Sequence, residues 1–134
     1  HIVDEWYETG KTTREIIEAA QALQNKWGVN RWYADSANPE KIVEAGTNTG
    51  LYVIPYDKGR DALTAGIGYI QQLIIENMLC VFKTCKNTLA EFESYHYPEL
   101  EGTNQTKMDV PIPEDNHLMD AIRYAIDGYQ RSPA

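Results

Sequence analysis

The sequence is poor in cysteine, in basic residues and in long apolar runs. Its two cysteines, Cys80 and Cys85, are too few for a disulfide framework and are not spaced as a CxxC pair, so we interpret them as reduced thiols. No window approaches the roughly 18 consecutive apolar residues of a membrane span. Twelve Lys and Arg against 20 Asp and Glu give a formal net charge of −8, opposite in sign to the surface of an avid nucleic-acid binder. The charge alone therefore argues against DNA as a partner.

The rest of the composition is that of one globular domain. The chain has 134 residues, 43% of them apolar and 24% charged, as in ordinary soluble domains. Strand-like and helix-like segments alternate, which predicts βαβ crossovers and a mainly parallel sheet covered by helices on both faces. We therefore predict an α/β fold, with strands at 2–7, 31–35, 51–55 and 78–82 and helices at 14–27, 39–45, 60–76, 86–95 and 116–129.

Two segments bear on the extent of the domain. The strand-like run at 2–7 opens the chain with no turn or cap before it, so we expect a fragment of a longer protein. The segment 98–114 contains prolines and no periodic pattern, which predicts a long loop of the kind that is usually functional or mobile. We find no signal-peptide pattern, so a reducing cytoplasm is the expected compartment.

One motif resembles a phosphate-binding loop but lacks its defining glycine. Gly10, Lys11 and Thr12 follow the first predicted strand and open a helix, as the end of such a loop does. The full pattern requires a glycine five residues before Gly10, where Glu5 stands, and without it the backbone cannot fold around a phosphate. We interpret the segment as a simple strand-to-helix turn, which argues against an ATPase.

Acidic residues at two places are candidates for a metal site. Asp35 ends a predicted strand, where ligands gather in open α/β sheets, although it is equally suited to cap the helix that starts near Pro39. Near the start of the last predicted helix, His117 and Asp120 are three residues apart and share a helical face. A carboxylate and an imidazole at that spacing bind one cation or transfer protons, and the alternative is that Asp115 or Asn116 only caps the helix.

Two basic residues follow the third predicted strand. Lys58 and Arg60 lie in the segment Asp57-Lys58-Gly59-Arg60, where a cation can contact phosphate. The alternative for Lys58 is an ordinary surface lysine.

Taken together, these segments resemble a known family. The stretch Tyr33-Ala34-Asp35-Ser36-Ala37-Asn38-Pro39-Glu40, then Lys58-Gly59 and Gly66-Ile67, then Cys85 to Glu91 with Tyr95, then Asn116 to Tyr124 resemble, in collinear order, the C-terminal nuclease domain of the phage terminase large subunit. The resemblance implies a ribonuclease H-like fold with a central mixed sheet flanked by helices on both faces. It also implies that residues 1–134 are a single nuclease domain, a fragment without its N-terminal strands and the upstream ATPase domain.

The resemblance implies a metal-dependent endonuclease that cuts concatemeric double-stranded DNA in the host cytoplasm during viral packaging. Asp35, Asp120 and Asp115 would bind two Mg²⁺ or Mn²⁺ ions, His117 would be a further ligand or would orient the attacking water, and Lys58 and Arg60 would contact DNA. The ions would supply positive charge at the scissile phosphate, which weakens the argument from the acidic composition. The implied partners are the ATPase domain, the small terminase subunit and the portal.

The sequence departs from the family in one respect. The family's first catalytic aspartate lies on a strand upstream of the segment that matches Ile2 to Tyr7, and this sequence lacks that stretch. We therefore expect little nuclease activity from residues 1–134 alone, and self-association through the exposed strand at 2–7. The alternative function is a catalytically silent module that docks DNA or the portal.

Overall fold

The computed structural model describes residues 1–59, 62–94 and 117–131. Within these residues no helix is long and apolar enough to cross a membrane. The elements alternate as predicted from the first helix to the third, and two further helices then follow with no strand between them in the described ranges. In chain order they are α1 (Thr13–Trp27), β1 (Trp32–Ala34), α2 (Pro39–Gly46), β2 (Val53–Pro55), α3 (Ala62–Ile75), α4 (Lys86–Ser94) and α5 (His117–Arg131).

Helix α1 begins and ends at residues that the sequence marks clearly. The Thr12 side chain accepts a hydrogen bond from the Glu15 amide, and the Glu15 side chain accepts one from the Thr12 amide, so the two form a capping box. Gly28 ends the helix in the left-handed region, at φ 69°, which glycine adopts without steric cost. The segment that resembles a phosphate-binding loop is therefore a helix start, as predicted.

Strands β1 and β2 form a parallel pair joined by a crossover through α2. Trp32 pairs with Val53 and Ala34 pairs with Pro55. Helix α2 begins after Asn38, whose side chain accepts a hydrogen bond from the Lys41 amide. These are the only two strands in the part of the chain that the structure describes, so the central mixed sheet stays a prediction.

The predicted strands at 2–7 and 78–82 are each reduced to one bridging residue. Ile2 and Val81 form an isolated parallel bridge, in which the Ile2 amide donates to the Cys80 carbonyl at 2.7 Å and the Phe82 amide donates to the Ile2 carbonyl at 2.9 Å. Beyond Ile2 the acidic side chains bind elsewhere: Asp4 accepts a hydrogen bond from the Trp27 indole, and the Glu5 carboxylate binds the start of α4. Predicting strands over the full segments was wrong, because within the described residues the two segments pair only with each other and only at this bridge.

Helix α5 packs against the core through a face that only partly coincides with the predicted one. The sequence periodicity predicts an apolar core stripe of Leu118, Ile122, Ala125, Ile126 and Tyr129. Ile122 is buried as predicted, whereas Ala125 is exposed and Tyr129 is 63% exposed. The buried positions instead include two charged residues, Arg123 and Asp127, which are retained because each has an oppositely charged neighbour. Four residues of the predicted stripe, all except Tyr129, line an open groove of about 540 Å³ between α1 and α5.

The close contact between α3 and α5 depends on a glycine. A Cβ atom on Gly66 would lie 2.7 Å from Cγ and 2.9 Å from Cδ of Arg123, whereas nothing lies within 4 Å of a Cβ on Gly68, which is two residues further on. Gly66 therefore leaves the space that the Arg123 side chain occupies.

We expect Gly66→Ala to destabilise the protein by about 1–3 kcal/mol, because the added methyl group overpacks the contact with Arg123. Gly68→Ala is the matched control and should stabilise by about 0.5–1 kcal/mol, since alanine is the better helix former. Urea unfolding of both variants measures the difference. Equal stability changes would show that the contact at Gly66 is unimportant.

Candidate metal centre

Asp35 lies at the carboxyl edge of the parallel strand pair. It follows the last residue of β1, and its Oδ1 accepts a hydrogen bond from the Ala37 amide at 2.9 Å. Because Asn38 caps α2, the alternative that Asp35 serves as the helix cap is wrong. The Asp35 side chain is 50% exposed, so one of its oxygens remains accessible at the edge of the sheet.

Lys58 is brought to Asp35 by the loop after β2. Its Nζ lies 2.5 Å from Oδ1 of Asp35 and over the ring of Tyr124, 5.7 Å from the centroid. The hydrogen bond from Lys58 holds the pKa of the Asp35 carboxyl below its usual value, and the same bond raises the pKa of the lysine. Both side chains are partly exposed, so water screens much of the attraction between them.

Asp120 lies on the first turn of α5, in a less hydrated position. Burial raises the pKa of its carboxyl, and the nearby negative charge of Asp35 raises it further. The positive charges of Arg123 and His117 oppose this rise. The Nη2 atom of Arg123 lies 3.4 Å from Oδ1 of Asp120, and the arginine side chain is only 9% exposed. Asp120 thus occupies a site where negative charge is already costly.

The structure brings together several residues that are distant in the sequence. Asp35 and Asp120 lie within electrostatic range of each other. The negative charge of Asp35 raises the pKa of Asp120, and the positive charge of Arg123, the ion-pair partner of Asp120, lowers the pKa of Asp35. His117 is exposed, one turn before Asp120. The other two predicted site residues, Asp115 and Arg60, lie outside the described residues. The roles of all six remain predictions.

Two residues beside the site were not predicted from the sequence. Arg123 is three positions after Asp120, so helical spacing was a signal that would have placed it beside that carboxylate. Glu91 accepts hydrogen bonds from the first amides of α5, and its partners lie 27 and 28 positions away. No local sequence pattern indicates a contact of that range.

The donor atoms suit a hard divalent cation. Asp35 and Asp120 offer carboxylate oxygens, which Mg²⁺ and Mn²⁺ prefer. A bound cation would favour the ionised form of Asp120, which burial disfavours. However, no group of three or more His, Cys, Asp or Glu side chains that could hold a metal lies among the described residues. A divalent cation held by the two carboxylates would therefore need further ligands, from water, from the substrate or from residues outside the described ranges.

The fold belongs to the class of ribonuclease H-like domains. The family described as "Terminase RNAseH like domain" matches residues 5–128. The chain belongs to this family, as the sequence resemblance predicted.

Two solved structures have the same fold. The nuclease domain of g2p, the large terminase of bacteriophage SPP1, was solved with bound Mn and has a TM-score of 0.74 at 22% identity, over 95% of this chain and 69% of that one. The large terminase of a thermophilic bacteriophage has a TM-score of 0.72 at 21% identity, over 91% of this chain and 30% of that one. No curated protein matches the sequence significantly.

Proposed function

We propose that the chain is the metal-dependent endonuclease domain of a DNA-packaging terminase, and that it cuts concatemeric double-stranded DNA. The observation that carries the proposal is that Asp35, at the carboxyl edge of the β1–β2 pair, and Asp120, on the first turn of α5, lie within electrostatic range of each other and of Lys58, which pairs with Asp35. Membership of the terminase family supports the same activity. The Mn bound to the SPP1 nuclease domain supports a divalent cation as the cofactor.

The residues of the chain take distinct roles in this proposal. Asp35, Asp120 and Asp115 would together hold two divalent cations, which would supply activation of the attacking water and stabilisation of the leaving 3′ oxygen. His117 is exposed beside Asp120, where an imidazole nitrogen is accessible to orient the attacking water or accept its proton. Lys58 and Arg60 would contact the DNA backbone, and the ammonium of Lys58 already lies at the edge of the site.

The wider partners follow from the family and remain proposals. They are double-stranded DNA, the ATPase domain of the large terminase, the small subunit and the portal, in the cytoplasm of an infected host. The net charge of −8 makes tight DNA binding without divalent ions unfavourable. Self-association through the N-terminal segment also remains a prediction, now centred on the single bridge at Ile2.

Plasmid cleavage tests the proposed activity. The natural protein that carries this sequence is incubated with supercoiled plasmid and Mn²⁺, alongside Asp35→Ala and the control Glu44→Gln, which changes an exposed carboxylate on α2. We expect nicking and linearisation by the wild type and the control but not by Asp35→Ala. The isolated 134-residue chain is a further sample, for which we expect little cleavage. Cleavage by Asp35→Ala at the wild-type rate would overturn the proposal.

A catalytically silent docking module is the second candidate function. It is favoured by one observation, that the described residues contain no group of three metal-binding side chains. Under this alternative the natural protein binds DNA and slows its migration in a gel-shift assay with Mn²⁺, but it leaves the plasmid supercoiled.

Divalent ions should stabilise the fold, because a ligand that binds only the folded state shifts unfolding by mass action. At a free Mn²⁺ concentration of about 100 times Kd the gain is about 2.7 kcal/mol, which corresponds to a rise in melting temperature of several degrees. Thermal unfolding with and without Mn²⁺ measures it. Asp120→Asn should lose the rise, and an equal rise in that variant would place the ion elsewhere.

A further inference from the structure

Glu91 is a buried carboxylate on α4 whose hydrogen bonds go to another helix. It is only 5% exposed, and its Oε1 accepts hydrogen bonds from the amides of Leu118 at 2.9 Å and Met119 at 3.0 Å. These two residues open α5 and lie between His117 and Asp120. Glu91 therefore binds the turn that presents both of those side chains.

The bonds satisfy groups that a helix cannot satisfy itself. The first four amides of an α-helix have no intrahelical acceptor, and a side chain adjacent in sequence usually supplies one. Here the acceptor comes from 27 positions earlier, and its negative charge is favourable at the positive end of the α5 dipole. Glu91 thus fixes where α5 begins relative to α4.

The second oxygen of Glu91 is also buried. Oε2 has no hydrogen-bond partner among the described residues, and burying an unpaired polar atom costs free energy. The two hydrogen bonds that Oε1 accepts from the start of α5 offset part of that cost.

A second glutamate, Glu5, binds the start of α4 in the same way. The Glu5 carboxylate accepts hydrogen bonds from the amide and side chain of Asn87, at 3.2 and 2.7 Å, and from the Thr88 amide at 2.9 Å. Glu5 thus binds the start of α4, and Glu91 on α4 binds the start of α5. Two glutamates in series connect the N-terminal segment to the helix that carries Asp120.

We propose that Glu91 is a positioning residue for the metal centre: it holds the first turn of α5 on α4 so that Asp120 and His117 face Asp35. The inference rests on the proposed function, because it assumes that Asp120 binds the cation. Glu91 itself touches neither the cation nor the substrate.

The test compares Mn²⁺ affinity and stability in the same samples. Glu91→Ala, Glu91→Gln and the control Glu93→Gln, an exposed residue on the same helix, are titrated with Mn²⁺ by calorimetry in conditions where urea curves show them folded. Loss of an outer-shell partner typically weakens metal binding by about 10–100-fold, and we expect a loss in that range for Glu91→Ala. Glu91→Gln keeps an acceptor oxygen and should recover part of the affinity, while Glu93→Gln should match the wild type.

A purely structural cap gives a different result. It would lower the urea midpoint of Glu91→Ala without changing the Kd of the folded protein, and unchanged affinity in that variant would overturn the inference. If Glu91→Ala does not fold, the Glu91→Gln variant provides the test. A Glu91→Gln protein with a lowered urea midpoint but a wild-type Kd for Mn²⁺ would also overturn the inference. A wild-type chain that binds no Mn²⁺ would overturn both the proposed function and the inference. A wild-type chain that binds Mn²⁺, with the same Kd in the Glu91 variants, would overturn the inference alone.

Discussion

Asp120→Asn is expected to reduce Mn²⁺-dependent plasmid cleavage by the natural protein by about 1000-fold or more. The substitution keeps the shape of the side chain but removes the negative charge that would hold the cation. Metal-ion stabilisation of a transition state is worth several kcal/mol, and each ~1.4 kcal/mol corresponds to a tenfold change in rate. The rate of conversion of supercoiled plasmid to nicked and linear forms measures the effect, with Glu44→Gln as the control.

A double variant at Asp35 and Asp120 tests whether the two carboxylates act together. If Asp35 and Asp120 hold the same cation, the double variant Asp35→Asn/Asp120→Asn should be hardly slower than either single variant, because residues that act as a unit are strongly non-additive. Multiplicative losses would mean that the two carboxylates act independently. An Asp120→Asn protein that cleaves within tenfold of the wild type would remove this residue from the site.

Asp127→Ala is expected to cause the largest loss of stability, about 2–4 kcal/mol. Tyr56 and Asp127 are both buried, and the Tyr56 hydroxyl donates to Oδ2 of Asp127 at 2.6 Å. Arg131 pairs with the same oxygen at 2.8 Å. The substitution leaves the buried hydroxyl without its acceptor and removes the counter-ion of Arg131, and each loss destabilises the folded state. Urea unfolding measures the change.

Tyr56→Phe provides the matched comparison. It removes only the hydroxyl, so Asp127 keeps its ion pair with Arg131, and the expected loss is about 1 kcal/mol. Burial, followed by the bond to Asp127, raises the pKa of the tyrosine, which fits a hydroxyl held protonated as a donor. A free energy of unfolding for Asp127→Ala within about 0.5 kcal/mol of the wild-type value would be in the range of ordinary surface substitutions. That result would show that the contacts of Asp127 with Tyr56 and Arg131 do not stabilise the protein.

Local signals in the sequence predicted the local structure well. The capping pair at Thr12 and Glu15, the glycine at position 28 and the proline at position 39 each set a helix boundary through contacts within a few residues. The position of Asp35 at the end of a strand was also predictable, because the alternation of elements determines which edge of a parallel sheet the strands share.

Contacts between distant segments were not predictable in this way. The predicted apolar stripe of α5 was wrong at Tyr129, which is exposed, and it missed Arg123 and Asp127, which are buried with charged partners. Hydrophobic periodicity carries no information about such pairs. The roles of Glu5 and Glu91 depend on helices 27 or more residues away. The short extent of the strand pairing at Ile2 likewise depends on which backbones lie beside it, not on the residues of the segment itself.

Crystals soaked in Mn²⁺ and measured at its absorption edge test the central claim, that Asp35 and Asp120 share a cation. We predict an anomalous peak within about 2–2.6 Å of an oxygen of each carboxylate, the usual range for hard divalent ions, and none in crystals of Asp120→Asn. A peak at any other site, or carboxylates more than about 10 Å apart, well beyond a dinuclear centre with ions ~3.5–4 Å apart, would contradict the claim.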